Sequence, residues 1–252
     1  MSTKRVRERT RNSKRVSSKH NKSSSRGKTE ILLEKGRRAY MEGNFESAKS
    51  FWLPLAELGN SDAQACIGSL YANGDGVEVD DYKAFEWYVK SASGGNVQAQ
   101  SNVGAMYAMG NGVDKDSDQA IIWFEKASDE GDPNAQFNLA VLLSNDSHGI
   151  TKDLERAVRL YRSAAEKGHY PSQARLGHMY SIGQGVKKDR IQAYVWLSLA
   201  AQHGIGTALN ALEAVANQMS SEEKAEALTL FDAWRGKTSA AVGPSRIEPL
   251  PG

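Results

Sequence analysis

Residues 63–95 read AQACIGSLYANGDGVEVDDYKAFEWYVKSASGG, and residues 99–131 read AQSNVGAMYAMGNGVDKDSDQAIIWFEKASDEG. The second stretch repeats the first at a spacing of 36 residues, and the frame returns twice more. Ala63-Gln64 recurs as Ala99-Gln100, Ala135-Gln136 and Ser172-Gln173. Gly68, Gly104, Ala140 and Gly177 follow, then Tyr71, Tyr107, Leu143 and Tyr180. Gly74-x-Gly76-Val77, Gly110-x-Gly112-Val113 and Gly183-x-Gly185-Val186 come next, with a longer, degenerate run from Asn145 to Ile150 in the third copy. Asp80, Asp116, Asp153 and Asp189 precede Ala84, Ala120, Ala157 and Ala193, with Trp87, Trp123, Leu160 and Trp196 three residues on. Gly95, Gly131, Gly168 and Gly204 close the copies. A fixed period of this length marks a repeat architecture.

Each copy reads as two helices. Positions 63, 67, 70 and 71 keep helical spacing in the first, and 84, 87, 88, 91 and 92 do so in the second. Gly68 lies inside the first helix, where glycine costs about 1 kcal/mol against alanine. Its recurrence predicts a close approach by a neighbour. The Gly-x-Gly-Val loop stops the first helix and the recurring Asp caps the second, accepting free N–H groups of its first turn. Neither helix buries its stripe alone, so copies must stack. Residues 31–59 form a further pair, with Pro54 expected to kink or tighten its second helix. A helix over Thr207–Gln218 and one opened by the capping box Ser220-x-x-Glu223, ending near Trp234, close the array.

The pattern A-x-x-x-[IVL]-G-x-[LM]-Y-x-x-G-x-G-V-x-x-D-x-x-x-A-x-x-W-[YF]-x-x-[SA]-A-x-x-G resembles the Sel-one-like repeat (SLR), the α/α-solenoid relative of the tetratricopeptide repeat. The resemblance implies an all-α, right-handed α/α superhelical solenoid of about six helix pairs. It places a pair over 29–60, repeats over 61–96, 97–132, 133–169 and 170–204, and capping helices over 205–235. It also implies a concave side, lined by first helices, that takes protein or peptide partners. Disulfide-rich members of the family do not match this chain, whose one cysteine is Cys66. The third copy departs from the pattern at Leu143, at Leu160 and in its loop, which suggests a local change of curvature.

Charge divides the chain into zones. Residues 1–28 carry 11 Lys and Arg against Glu8 alone, while 61–150 hold 4 basic and 14 acidic residues and 151–204 hold 9 and 4. The first segment lacks apolar residues to bury, so it is expected to be disordered, as is 236–252. Its cations, including Lys4, Arg5, Arg7, Arg9, Arg11, Lys14 and Arg15, suit nucleic acid or an anionic surface through counterion release. A tail laid on the acidic middle of the chain is a further arrangement these charges allow. The segment has no apolar core of a secretory signal, and no run of 18 apolar residues occurs, so a cytoplasmic location without a membrane span is expected, with a nuclear address left open by the basic segment if the organism has a nucleus.

Catalytic and cofactor chemistry finds no footing. One Cys excludes a disulfide framework and Cys-rich zinc modules, and the five His stand at no ligand-like spacing. Asp114-x-Asp116-x-Asp118 with Glu125 mimics a calcium loop, but Gln119 stands where the turn wants Gly, and Asp116 is already in register as a cap. The Gly-x-Gly pairs follow helices, unlike phosphate-cradling loops. No catalytic residue, cofactor or metal is assigned. The candidate partner-binding residues are the first-helix positions that vary between copies while the frame stays constant. They are Cys66, Ser69 and Asn73; Asn102, Ala105 and Met109; Asn138, Val141 and Asn145; Arg175, His178 and Ile182. Each set is spaced i, i+3, i+7 on one face. The reading is a non-enzymatic adaptor that binds a protein or peptide along this stripe, the alternative being the basic tail as the binding element.

Overall fold

A computed structural model describes residues 27–145 and 151–241, with the backbone course alone for 237–241. The basic segment and the third copy's long loop lie outside the described residues, as does 242–252. The described residues form twelve helices and no strand: α1 (27–41), α2 (Phe45–Glu57), α3 (Ser61–Asn73), α4 (Asp81–Ser93), α5 (Val97–Met109), α6 (Ser117–Asp129), α7 (Pro133–Ser144), α8 (Leu154–Glu166), α9 (Tyr170–Ile182), α10 (Arg190–Ala201), α11 (Gly206–Ala216) and α12 (Ser221–Ala241). The architecture is an all-α helical repeat solenoid. It divides into two compact units between Asn96 and Val97, the first holding α1–α4 and the second α5–α12.

The frame residues act as their chemistry requires. Asp80, Asp116, Asp153 and Asp189 each accept the backbone N–H three residues on, at 2.8–2.9 Å. Their own backbone N–H groups donate to the carbonyls of Tyr71, Tyr107, Leu143 and Tyr180 at 2.9–3.0 Å, closing each loop from both sides. The third copy makes the same closure despite its extra residue, so the insertion is absorbed between these two anchors. Gly74, Gly76, Gly110, Gly112, Gly183 and Gly185 all take positive φ, which makes these loops structural turns.

The helix-interior glycines have the packing role expected of them. A Cβ at Gly68 would stand 2.9 Å from the Tyr88 ring, one at Gly104 2.7 Å from Phe124, and one at Gly177 2.7 Å from Leu197. The partner residue is the one after the recurring Trp, and this refines the expected core. Tyr88, Phe124, Tyr161 and Leu197 are buried in every copy, whereas Trp87 and Trp123 are half-buried under the ammonium groups of Lys90 and Lys126, 4.4 and 3.9 Å from the ring centres. Trp196 alone of the three is buried, because α12 lays Trp234 against it at 4.9 Å.

The recurring Gln has a role its recurrence did not disclose. Gln64, Gln136 and Gln173 donate through Nε2 to the carbonyls of Ala56, Ser128 and Ala165, eight residues back, at 3.0, 3.4 and 3.1 Å. Each adds a side-chain donor to a last-turn carbonyl of the preceding helix that also accepts the N–H of the turn glycine, Gly59, Gly131 or Gly168, at 2.9–3.0 Å. The capping box forms as expected, with Ser220 N–H donating to Glu223 Oε2 at 2.9 Å and Glu223 N–H to Ser220 Oγ at 3.2 Å. α2 includes Pro54 and runs to Glu57, since the proline falls in the last turn where one lost hydrogen bond is tolerated. One boundary differs from expectation. α12 continues to Ala241, past Trp234 and into the segment expected to be loose, because no breaker stronger than Gly236 interrupts it. Among the described residues no helix is long and apolar enough to cross a membrane.

Candidate functional site

None of the twelve stripe residues is buried. In the N-terminal unit, Cys66 is half-buried on α3; its thiol is screened from water, which pushes its pKa up to about 12 and leaves it unreactive. Asn73 donates to Ser69 Oγ at 3.4 Å and to Asp75 Oδ2 at 3.2 Å, and the same carboxylate accepts Tyr40 O–H at 2.6 Å. Two of this unit's three stripe residues are therefore engaged in a local polar network.

The C-terminal unit carries the other nine on α5, α7 and α9. Asn102 accepts from Gln98 at 3.4 Å, and Asn145, the C-cap of α7, donates to the Val141 carbonyl at 3.0 Å. Ala105 and Val141 pack partly against the core, while Met109 and Ile182 leave 63% and 54% of their surface exposed. Arg175 and His178 are exposed on α9. They border a depression of about 520 Å³ between α7, α9, the Ile205 turn and α11. Phe137, Pro171, Ala174, Leu197, Ile205 and Ala208 give it an apolar lining, and Thr207 adds a hydroxyl. The variable positions thus include the polar edge of this depression, but its walls come from residues the stripe omits.

The walls are held by their own contacts. Phe137 lies 5.7 Å from the Tyr161 ring and 5.1 Å from His169, centre to centre. Burial pushes the Tyr161 hydroxyl up, opposed by a hydrogen bond with Ser144 and by the Arg175 charge. His169 is the N-cap of α9, its Nδ1 accepting the Ser172 N–H at 3.3 Å, and burial lowers its pKa to about 4. His203 sits in the turn after α10, where its ring stacks on Tyr170 at 3.4 Å.

The calcium-like run does not assemble. Asp116 is engaged as a cap, and no cluster of three or more His, Cys, Asp or Glu suited to a metal occurs among the described residues.

The Sel1 repeat matches residues 61–96, 97–132, 133–169 and 171–205, more than half of the chain. The chain belongs to the Sel1 repeat family. A protective antigen of uropathogenic Escherichia coli displaying an SLR fold is similar with a TM-score of 0.78 at 28% identity, over 90% of this chain and 51% of that one. A Sel1 repeat protein from Oxalobacter formigenes gives a TM-score of 0.68 at 33% identity, over 84% of this chain and 85% of its own. Two curated relatives, both named exopolysaccharide production negative regulator, are 43% identical over short stretches. The match covers 70 residues in Rhizobium leguminosarum bv. viciae and 51 in Rhizobium meliloti. These stretches are 26% and 19% of those proteins, so this chain spans about a quarter of their length or less, and about half of the E. coli antigen. Sel1 repeats typically mediate protein–protein interaction. The basic segment lies outside the matched repeats as well as the described residues.

Proposed function

We propose that this Sel1 repeat protein is a non-enzymatic adaptor that holds a protein or peptide partner on the first helices α5, α7 and α9 of its C-terminal unit. The observation that carries this reading is the depression of the C-terminal unit, which opens beside Arg175 and His178, two positions that vary freely between copies while the frame does not. A surface under packing constraint holds its residues constant; one that reads a partner is free to differ copy by copy. The regulators named among the relatives are consistent with a role exerted through partner capture.

The test is positional cross-linking in cells, with a photoreactive benzoylphenylalanine placed in the full chain at Met109, His178 or Ile182, and separately at Ile122 and Arg159, exposed positions of the second helices α6 and α8. The expected result is one common partner trapped from the first-helix positions and not from the second-helix ones. Trapping from the second helices alone, or from none, overturns the assignment.

A further inference from the structure

We infer that the depression between α7, α9 and α11 is a subsite for a partner peptide that sets an aliphatic or aromatic side chain beside a carboxylate. This rests on the adaptor reading above and names the chemistry its partner must carry.

The lining is apolar apart from Thr207 and the exposed Arg175 and His178. Phe137, Pro171, Ile205 and Ala208 come from three helices and a turn and leave an apolar recess that water fills poorly, which favours an apolar side chain as its occupant. No acidic residue lines it. Arg175 stands at its border, and among the described residues no carboxylate lies within ion-pair distance of its guanidinium. Two other arginines of this unit show what such a group does when a carboxylate is at hand: Arg156 pairs with Glu125 at 2.6 Å and Arg190 with Glu223 at 2.9 Å. The charge is also particular to this place, since the positions equivalent to Arg175 are Cys66, Asn102 and Asn138.

An uncompensated guanidinium next to an apolar wall is complementary to a carboxylate. The planar fork takes both oxygens, and the neighbouring apolar atoms shield the pair from water. His178, one turn along α9, adds a second donor on the same side. A nucleic-acid backbone fits less well, because it requires a track of cations and has no use for an apolar recess.

The experiment is selection of a phage-displayed random peptide library on the full chain, repeated on Arg175→Glu, whose exposed site keeps the substitution clear of the core and whose fold is checked by circular dichroism. The expected binders carry Asp or Glu within two positions of Leu, Ile, Met or Phe. Synthetic copies should lose at least tenfold in affinity for Arg175→Glu, and selection on that variant should turn toward Lys or Arg at the same place. Binders without acidic enrichment, binders indifferent to Arg175→Glu, or no enrichment at all overturn the subsite. Cross-links from Met109 that persist in Arg175→Glu, together with indifferent binders, would remove the subsite and leave the adaptor face standing. Absence of those cross-links in the unaltered chain would remove the reading beneath it.

Discussion

The molecule is joined by two kinds of turn, and they are built differently. Within a copy, the Gly-x-Gly loop is packed: a Cβ at Gly185 would stand 2.6 Å from the Leu154 carbonyl oxygen, and one at Gly76 would stand 2.6 Å from Phe45 Cβ. Leu154 and Phe45 are the first residues of α8 and α2, so each loop rests on the start of the preceding copy's second helix. Between copies, the turn is a glycine at positive φ followed at once by the next helix cap, and around Gly95, Gly168 and Gly204 there is open space. Caps differ accordingly. The loops within copies all use Asp, doubly bonded, whereas the turns between copies use Asn60, Asp132 and His169, and Ile205 caps α11 with no side-chain bond at all. Packing on both sides leaves one residue type; a conformational requirement alone leaves several.

Replacing Gly185 by Ala breaks the comparison at its tightest point. The new methyl meets a backbone oxygen at 2.6 Å, which no side-chain rotation relieves, in a conformation at φ +67° that already disfavours a Cβ. The expected loss is about 3 kcal/mol or more, read from chemical denaturation of the full chain. A loss near 1 kcal/mol would mean that the loop slides freely over α8 and that the two kinds of turn are equivalent.

The cap at His169 offers a middle-sized test, through pH. Its Nδ1 can accept the Ser172 N–H only while unprotonated, and burial lowers the pKa to about 4 from an ordinary 6.5. Between those values the unfolded chain binds the proton and the folded chain does not, so stability is full above pH 6.5 and falls as pH drops toward 4. The ring keeps some contact with water, which holds the expected loss to about 2 kcal/mol. His169→Asn, which supplies the acceptor that Asn60 uses at the head of α3, should retain the cap and remove this share of the pH dependence. Equal slopes for the two proteins across this range would show that the imidazole does not titrate with folding.

Much of this was legible in sequence because it repeats. Period, capping Asp, loop glycines and the close approach at Gly68 and Gly104 follow from residues that recur at one register. The caps at Asn60, Asp132 and His169 were hidden because unlike residues perform one task there. The Gln side chains were visible as a recurrence without a reason, since the carbonyl each one reaches belongs to the preceding copy. The candidate stripe was found by variation alone, and variation names Arg175 and His178 but not Phe137, Ile205 or Ala208. Those residues meet only when α7, α9 and α11 are assembled, and no single helix's periodicity contains that meeting.

The smallest effect sharpens the comparison most. Gly168→Ala places a methyl at φ +85° with no atom within 4 Å to oppose it, so only the left-handed backbone resists, at about 1 kcal/mol. Gly168→Asn should cost less than the alanine, because Asn tolerates that region better than other side chains. The same Gly→Ala change thus isolates packing from conformation. The difference between Gly185 and Gly168, about 2 kcal/mol by the estimates above, measures what contact with α8 adds to a turn whose backbone requirement is otherwise the same. Equal costs at the two sites would trace the difference in caps to something other than packing.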